Sequence, residues 1–183
     1  MNSTRLFALA CAAILPGCSR LPEAFSPPQQ IELPSGPEPA ATPIRNLLLL
    51  EMSDPDIGSH ILADVLENQP GIEWRFTGPH PRFRLQWDAP PPPKLVFYLR
   101  FYNHEEALKA RGPVFLSITI NGHTFRSDRF ASNGDIEYRR QIPDEWIAGV
   151  HTIDIALNVD PPWRAPDGIT YGVSIHSIGF VEP

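Results

Sequence analysis

The stretch Gly112–Phe130 constrains the fold more than any other part of the chain. Val114, Leu116, Ile118 and Ile120 alternate with Phe115, Ser117, Thr119 and Asn121, the two-residue period of a strand with one face in a core. Asn121-Gly122 follows, a dipeptide whose residues both tolerate positive φ and so turn a strand back on itself in a type I′ turn. Phe125 and Phe130 fall on the return strand, and Pro113 blocks extension upstream. This hairpin commits the chain to antiparallel β architecture. With 183 residues there is length for one domain with a real core. The net charge of −6 argues against a nucleic-acid partner, which would want a basic face.

The N-terminus reads as an address. Arg5 precedes an apolar run from Leu6 to Leu15, followed by Pro16-Gly17-Cys18. A basic residue, about ten apolar residues and a small-residue cleavage point make a secretory signal too short to span a bilayer. Both cysteines, Cys11 and Cys18, lie here, so no disulfide staples the globular part. Leu15-Pro16-Gly17-Cys18 resembles the bacterial lipobox, with proline at the position before the glycine as a departure. The resemblance implies a signal peptide over 1–17 and acyl chains on Cys18, a membrane anchor that several chains make stable. Ser19 after the cysteine resembles the pattern sent to the outer membrane, on its periplasmic side or at the cell surface. Ordinary secretion with an incidental cysteine is the alternative. Residues 18–43 carry seven prolines (Pro22, Pro27, Pro28, Pro34, Pro37, Pro39 and Pro43) and no apolar periodicity, the composition of a semi-extended disordered tether.

From residue 44 to 183 the chain reads as one β domain. Leu47–Leu50 is a short buried strand, Ser53–Gly58 a turn, and His60–Glu67 is read as strand over the helical spacing that also fits it. Ile72, Trp74 and Phe76 alternate with Glu73, Arg75 and Thr77, and after Gly78-Pro79-His80-Pro81 the residues Phe83, Leu85 and Trp87 alternate with Arg82, Arg84 and Gln86. This pattern predicts a second hairpin closed by a four-residue loop. Lys94–Tyr102 is a further strand, Glu105–Gly112 a helix of one or two turns ended by glycine, Ile136–Ile142 and Thr152–Val159 alternating strands, Pro143–Gly149 a helical turn, Pro161–Gly168 a loop and Tyr171–Val181 the last strand. Nine or ten short strands at such intervals predict an antiparallel sandwich.

From Pro113 to Glu182, with a looser match from Ile44, the segments ITINGHTF, IPDEWIAGVHTIDIAL, PPWRAPDG and YGVSIHSIGFVE resemble the galactose-binding-like jelly roll of carbohydrate-binding modules. The resemblance implies an all-β antiparallel sandwich and carries no catalytic motif. It also implies that the first and last strands approach each other and share a structural calcium. Glu51, Asp54, Asp56 and Glu182 are the carboxylates in place for it; the alternative for Asp54-Pro55-Asp56 is an ordinary solvated turn.

The chain lacks a Gly-x-Ser-x-Gly elbow, a phosphate-cradling glycine loop and a His-Glu-x-x-His helix. Its six histidines follow no metal-ligand spacing. Catalysis is therefore not expected, and no cofactor is expected beyond the calcium. Trp74 and Trp87 are assigned to the core by their alternation. Trp163, between Pro162 and Arg164 in the proline-rich loop, is the tryptophan whose context favours exposure, as a sugar platform with Arg164 beside it or as a cap on the core. In the expected second hairpin Arg75 stands opposite Arg84, and Arg100 joins them if the next strand packs alongside. Such a face calls for an anion, unless nearby carboxylates or solvent relieve it. The functional expectation is a membrane-tethered, non-catalytic binding module for envelope or extracellular glycan. A structural or assembly lipoprotein that docks a protein partner through a sandwich face is the alternative.

Overall fold

A computed structural model divides the chain into two units, residues 1–40 and 41–183. The residues it describes are 48–67, 71–125 and 127–183. The signal peptide, Cys18 and the tether lie outside the described residues.

The described part is antiparallel β. In chain order it comprises β1 (Leu49–Glu51), a 3-10 turn (Pro55–His60), β2 (Ile61–Val65), β3 (Arg75–Gln86), β4 (Val96–Asn103), α1 (Glu105–Arg111), β5 (Val114–Ile120), β6 (His123–Thr124) and β7 (Asp128–Phe130). There follow β8 (Gly134–Gln141), a 3-10 turn (Asp144–Trp146), β9 (Thr152–Asp160), β10 (Trp163–Arg164), β11 (Thr170–Tyr171) and β12 (Ser174–Val181). One layer holds β12 between β1 and β4, with β8 at the edge beyond β4. The other holds β2, β3, β9 and β5, with β6 and β7 both returning on β5. Phe97, Leu99, Phe101, Ile175, Ile178 and Phe180 of the first layer meet Phe83, Leu85, Leu116, Ile118, Ile155 and Leu157 of the second in one buried core. The fold implied by the resemblance, an all-β jelly-roll sandwich, is the fold observed, with three short helical elements among the described residues where one or two were expected.

The central hairpin stands as the sequence implies. Asn121 and Gly122 have φ of 48° and 84°, the two positive values a type I′ turn needs. The second hairpin is a correction. Arg75–Gln86 is a single strand that belongs to both layers: Arg75 and Phe76 pair with β12, and Arg82–Gln86 pair with β9. Gly78–Pro81 is the corner where β3 crosses between layers. Opposite the corner β2 pairs at Val65–Thr77 and Ala63–Arg82 with a register shift between, so the donor-less Pro79 and Pro81 fall between ladder pairs and forfeit little. His80 N–H donates to Asp64 Oδ2 at 2.6 Å. The corner is held on its inner side, where Thr77 N–H donates to Val173 O at 2.9 Å and Gly172 N–H donates to Thr77 O at 2.7 Å. The loop expected at Pro161–Gly168 also carries structure, since Trp163 and Arg164 pair with Tyr171 and Thr170 in a small ribbon.

Candidate functional site

The site begins with an inversion at the start of β3. Trp74 and Phe76 face outward and are only partly covered, while Arg75 and Thr77 between and beside them are buried. This corrects the assignment of Trp74 to the core; Trp87 is in the core, 5% exposed. The inward polar groups are satisfied by main chain. Arg75 Nε donates to Met52 O at 3.1 Å, and Thr77 Oγ1 donates to Val173 O at 2.9 Å. With carbonyls to receive them, these side chains can take the inner positions, and strand alternation then puts the aromatics outside.

The outward rings form a connected wall. Trp74 meets Phe76 edge-on at 4.7 Å between centroids. Phe76 stacks on His104 at 5.2 Å and tilts against Tyr171 at 4.9 Å. Tyr102 packs edge-on against His104 at 4.8 Å, and Trp163 lies 5.8 Å from Tyr171 at the far end. Trp74, Tyr102, His104, Asp135 and His176 line an open cleft of about 430 Å³.

The polar side of this cleft depends on a bulge. On β12 the register with β4 shifts between Ile175, opposite Phe101, and Ser177, opposite Arg100. His176 is the extra residue, and a bulge of this kind re-aims a side chain out of the regular alternation. Its Nε2 lies 3.4 Å from Asp135 Oδ1, which also receives Arg100 Nη2 at 3.6 Å. Burial first, then the charge of Arg100, hold the His176 imidazole below its ordinary value against Asp135 and Glu73. His104 is held low by burial and then by Arg111, with Glu106 opposing. Two neutral imidazoles and a carboxylate thus give the cleft both donors and acceptors. His104 Nε2 shares a 2.7 Å hydrogen bond with Ser174 Oγ. Ser174 is fully buried, so this contact braces the ring and presents no nucleophile to solvent.

Arg111 holds the wall from behind. Its Nη1 donates to Pro161 O at 3.1 Å and Gly172 O at 2.9 Å, and its Nη2 to Asn103 Oδ1 at 3.3 Å. It thereby ties α1 to the strand that carries Tyr102 and to both ends of the ribbon that carries Trp163 and Tyr171. Burial pulls its guanidinium down to about 10, so it remains charged at neutral pH, with Nε unpartnered among the described residues.

Of the residues singled out in the sequence, Trp163 and Arg100 fall beside this wall and Arg75 lies beneath it. Trp163 is half-covered and Arg164 exposed. The opposed arginine pair is a correction. Arg75 and Arg84 belong to one strand and point to opposite sides, Arg84 outward in a two-point pair with Asp154 at 2.7 and 2.9 Å. Arg100 stands directly opposite Glu137 and contacts Asp135, so carboxylates already answer its charge.

The calcium set is not assembled. The first and last strands do pair, but Glu51 lies opposite Ser177. Glu182, beyond the end of β12, is therefore roughly 15 Å further along at ~3.3 Å per residue. Burial raises the Glu51 carboxyl, with Arg100 opposing. Asp54 accepts from the Asp56 N–H at 2.9 Å as the cap of the 3-10 turn. Among the described residues no three His, Cys, Asp or Glu side chains converge as a metal site.

The sequence reading assigns Trp74 to the core and gives Tyr102, His104, Asp135 and His176 no binding role. Trp74 and Phe76 have the same alternation as core residues, so period alone could not find them. The face that Arg75 shares with Glu73 and Thr77 is polar throughout, so nothing in it marks that face as the inner one.

No family model and no curated protein matches the chain. Among solved structures it is similar to a GH115-family 4-O-methyl-alpha-glucuronidase with specificity for decorated arabinogalactans, at 7% identity and a TM-score of 0.50, over 81% of this chain and 19% of that one. It is also similar to a family 35 carbohydrate binding module from an environmental isolate, at 15% identity and a TM-score of 0.43, over 74% of this chain and 93% of that one. Dimeric latent PorU from Porphyromonas gingivalis is matched at 14% identity and a TM-score of 0.42, over 56% of this chain and 10% of that one. The chain thus spans only a small part of the glucuronidase and of PorU. The likeness to the glucuronidase is one of fold: an antiparallel jelly-roll sandwich.

Proposed function

We propose that the described domain is a non-catalytic glycan-binding module, held at a membrane by acyl chains on Cys18. The observation that carries the reading is the cleft that Trp74 lines together with Tyr102, His104, Asp135 and His176. A pyranose has an apolar face of C–H groups and a rim of hydroxyls. The indole supplies a flat apolar partner for the face, and the imidazoles and carboxylate supply mixed donors and acceptors for the rim. The cleft is open, as suits one unit of a longer chain passing over it.

The test is Trp74→Ala in affinity electrophoresis through gels containing envelope or plant polysaccharides. A central aromatic anchor is worth about 2 kcal/mol or more, so the variant should lose roughly 30-fold in affinity. Trp74 is only partly covered, so the melt should fall by no more than about 1–2 kcal/mol in stability. Undiminished binding by a folded Trp74→Ala protein would refute the assignment of this cleft.

A further inference from the structure

Trp74 also lines a second cleft, about 250 Å³ in volume, whose lining includes Leu66, Ile72, Phe76, Ile169 and Tyr171. Its character is different. Leu66 is 39% and Ile169 46% exposed, two of the four large hydrophobic side chains left exposed among the described residues. Its interior polar groups are already engaged: Arg75 Nε with Met52 O at 3.1 Å, and the Tyr171 hydroxyl with Asp167 Oδ2 at 2.9 Å. Glu67 is the other charged residue at its margin. A bare hydroxylated ring placed here would give up hydrogen bonds to water and find few in return. An apolar substituent would cover Leu66 and Ile169 and lose nothing.

We propose that the glycan recognised is O-acylated. The sugar ring lies on Trp74 with its hydroxyls toward His104, Asp135 and His176, and a short acyl group attached to the same or the next sugar enters the apolar cleft. This rests on the glycan reading above. Two observations select the occupant. The clefts share Trp74, so one ligand with a polar and an apolar part spans both. The volume of about 250 Å³ leaves ample room for an acyl group of two to four carbons.

The experiment uses the full chain in affinity gels cast with O-acetylated glucomannan, O-acetylated xylan and O-acetylated alginate, each before and after mild alkaline de-esterification. The expected result is retention by at least one polymer that weakens roughly fourfold or more on de-esterification, the burial of about one methyl group. Ile169→Asp should abolish that difference while leaving retention by the de-esterified polymer unchanged. Its backbone bonds, N–H to Asp167 Oδ1 at 2.8 Å and C=O from Ala165 N–H at 2.9 Å, do not involve the side chain. Leu66→Asp provides the same readout at the opposite wall should Ile169→Asp misfold. Equal retention before and after de-esterification would overturn the acyl inference and leave glycan binding standing. Retention by none of the six gels would remove both.

Discussion

Arg111 is a half-buried charge satisfied by two carbonyls and an amide oxygen. Removing it relieves a desolvation cost but strands those acceptors. Because two of the three acceptors are main chain and cannot follow a new partner, stranding should dominate. Arg111→Met is expected to lower stability by about 1–3 kcal/mol, read as a shifted urea midpoint. Arg111→Lys should recover only part of it, since an ammonium cannot span the forked geometry. Because Pro161 and Gly172 flank the Trp163 ribbon, near-ultraviolet circular dichroism should change alongside. At this scale the sequence was least legible. Arg75 looks like a surface residue and Trp74 like a core one, because period-2 alternation says which residues share a face but not which face is inside. The answer lay with the Met52 and Val173 carbonyls that receive Arg75 and Thr77, which no local pattern reveals.

At the scale of elements, the corner of β3 decides how the two layers meet. A Cβ on Gly172 would run into the Gly78 carbonyl oxygen and stand 2.8 Å from Thr77 Oγ1. The obstacle is backbone, already fixed by the Thr77–Val173 and Gly172–Thr77 bonds. Gly172→Ala is therefore expected to cost about 1–3 kcal/mol, with hydrogen exchange accelerated at Thr77 and Val173 ahead of the β4–β8 ladder. Gly112→Ala provides the comparison, since nothing lies within 4 Å of its Cβ and only its φ of 77° is at stake. The elements themselves were largely readable: the central hairpin, β4, β8, β9 and both short helical turns lie close to where alternation and glycine stops put them. Gly78-Pro79-His80-Pro81 misled because a strand changing sheets and a chain reversing direction make the same demand, a few residues free of ladder duty.

At the scale of the molecule, acidification gives a whole-domain readout. The imidazoles of His104 and His176 are both held below their ordinary value, so the unfolded chain takes up protons first as pH falls. Their contribution to stability is complete above the ordinary histidine value near 6.5 and is lost as pH drops below it toward the lowered folded values. The melting temperature should fall over that window, before the carboxylates titrate, and His104→Gln should flatten this limb. A melt independent of pH between 7.5 and 5 would contradict it. The proposed anchor is tested separately: Cys18→Ser should move the protein from the detergent phase to the aqueous phase or arrest its processing. Membrane retention of normally processed Cys18→Ser protein would rule the anchor out. The fold class was legible because hydrophobic alternation is a global property; the cleft was not, because its five residues come from four separated stretches of chain.

The last strand of the chain is also the innermost of its layer. β12 pairs with β1, β3 and β4 at once, so during synthesis three earlier strands wait on residues 174–181 for their partner. Until the ribosome has released that segment, the layer has no centre, its core residues Ile175, Ile178 and Phe180 are missing, and most pairings still to be made are long-range in sequence. The nascent polypeptide is thus kept from compacting prematurely. On the proposed membrane anchoring, which requires threading across a membrane before folding, late arrival of the central strand would act as a timer written into the topology.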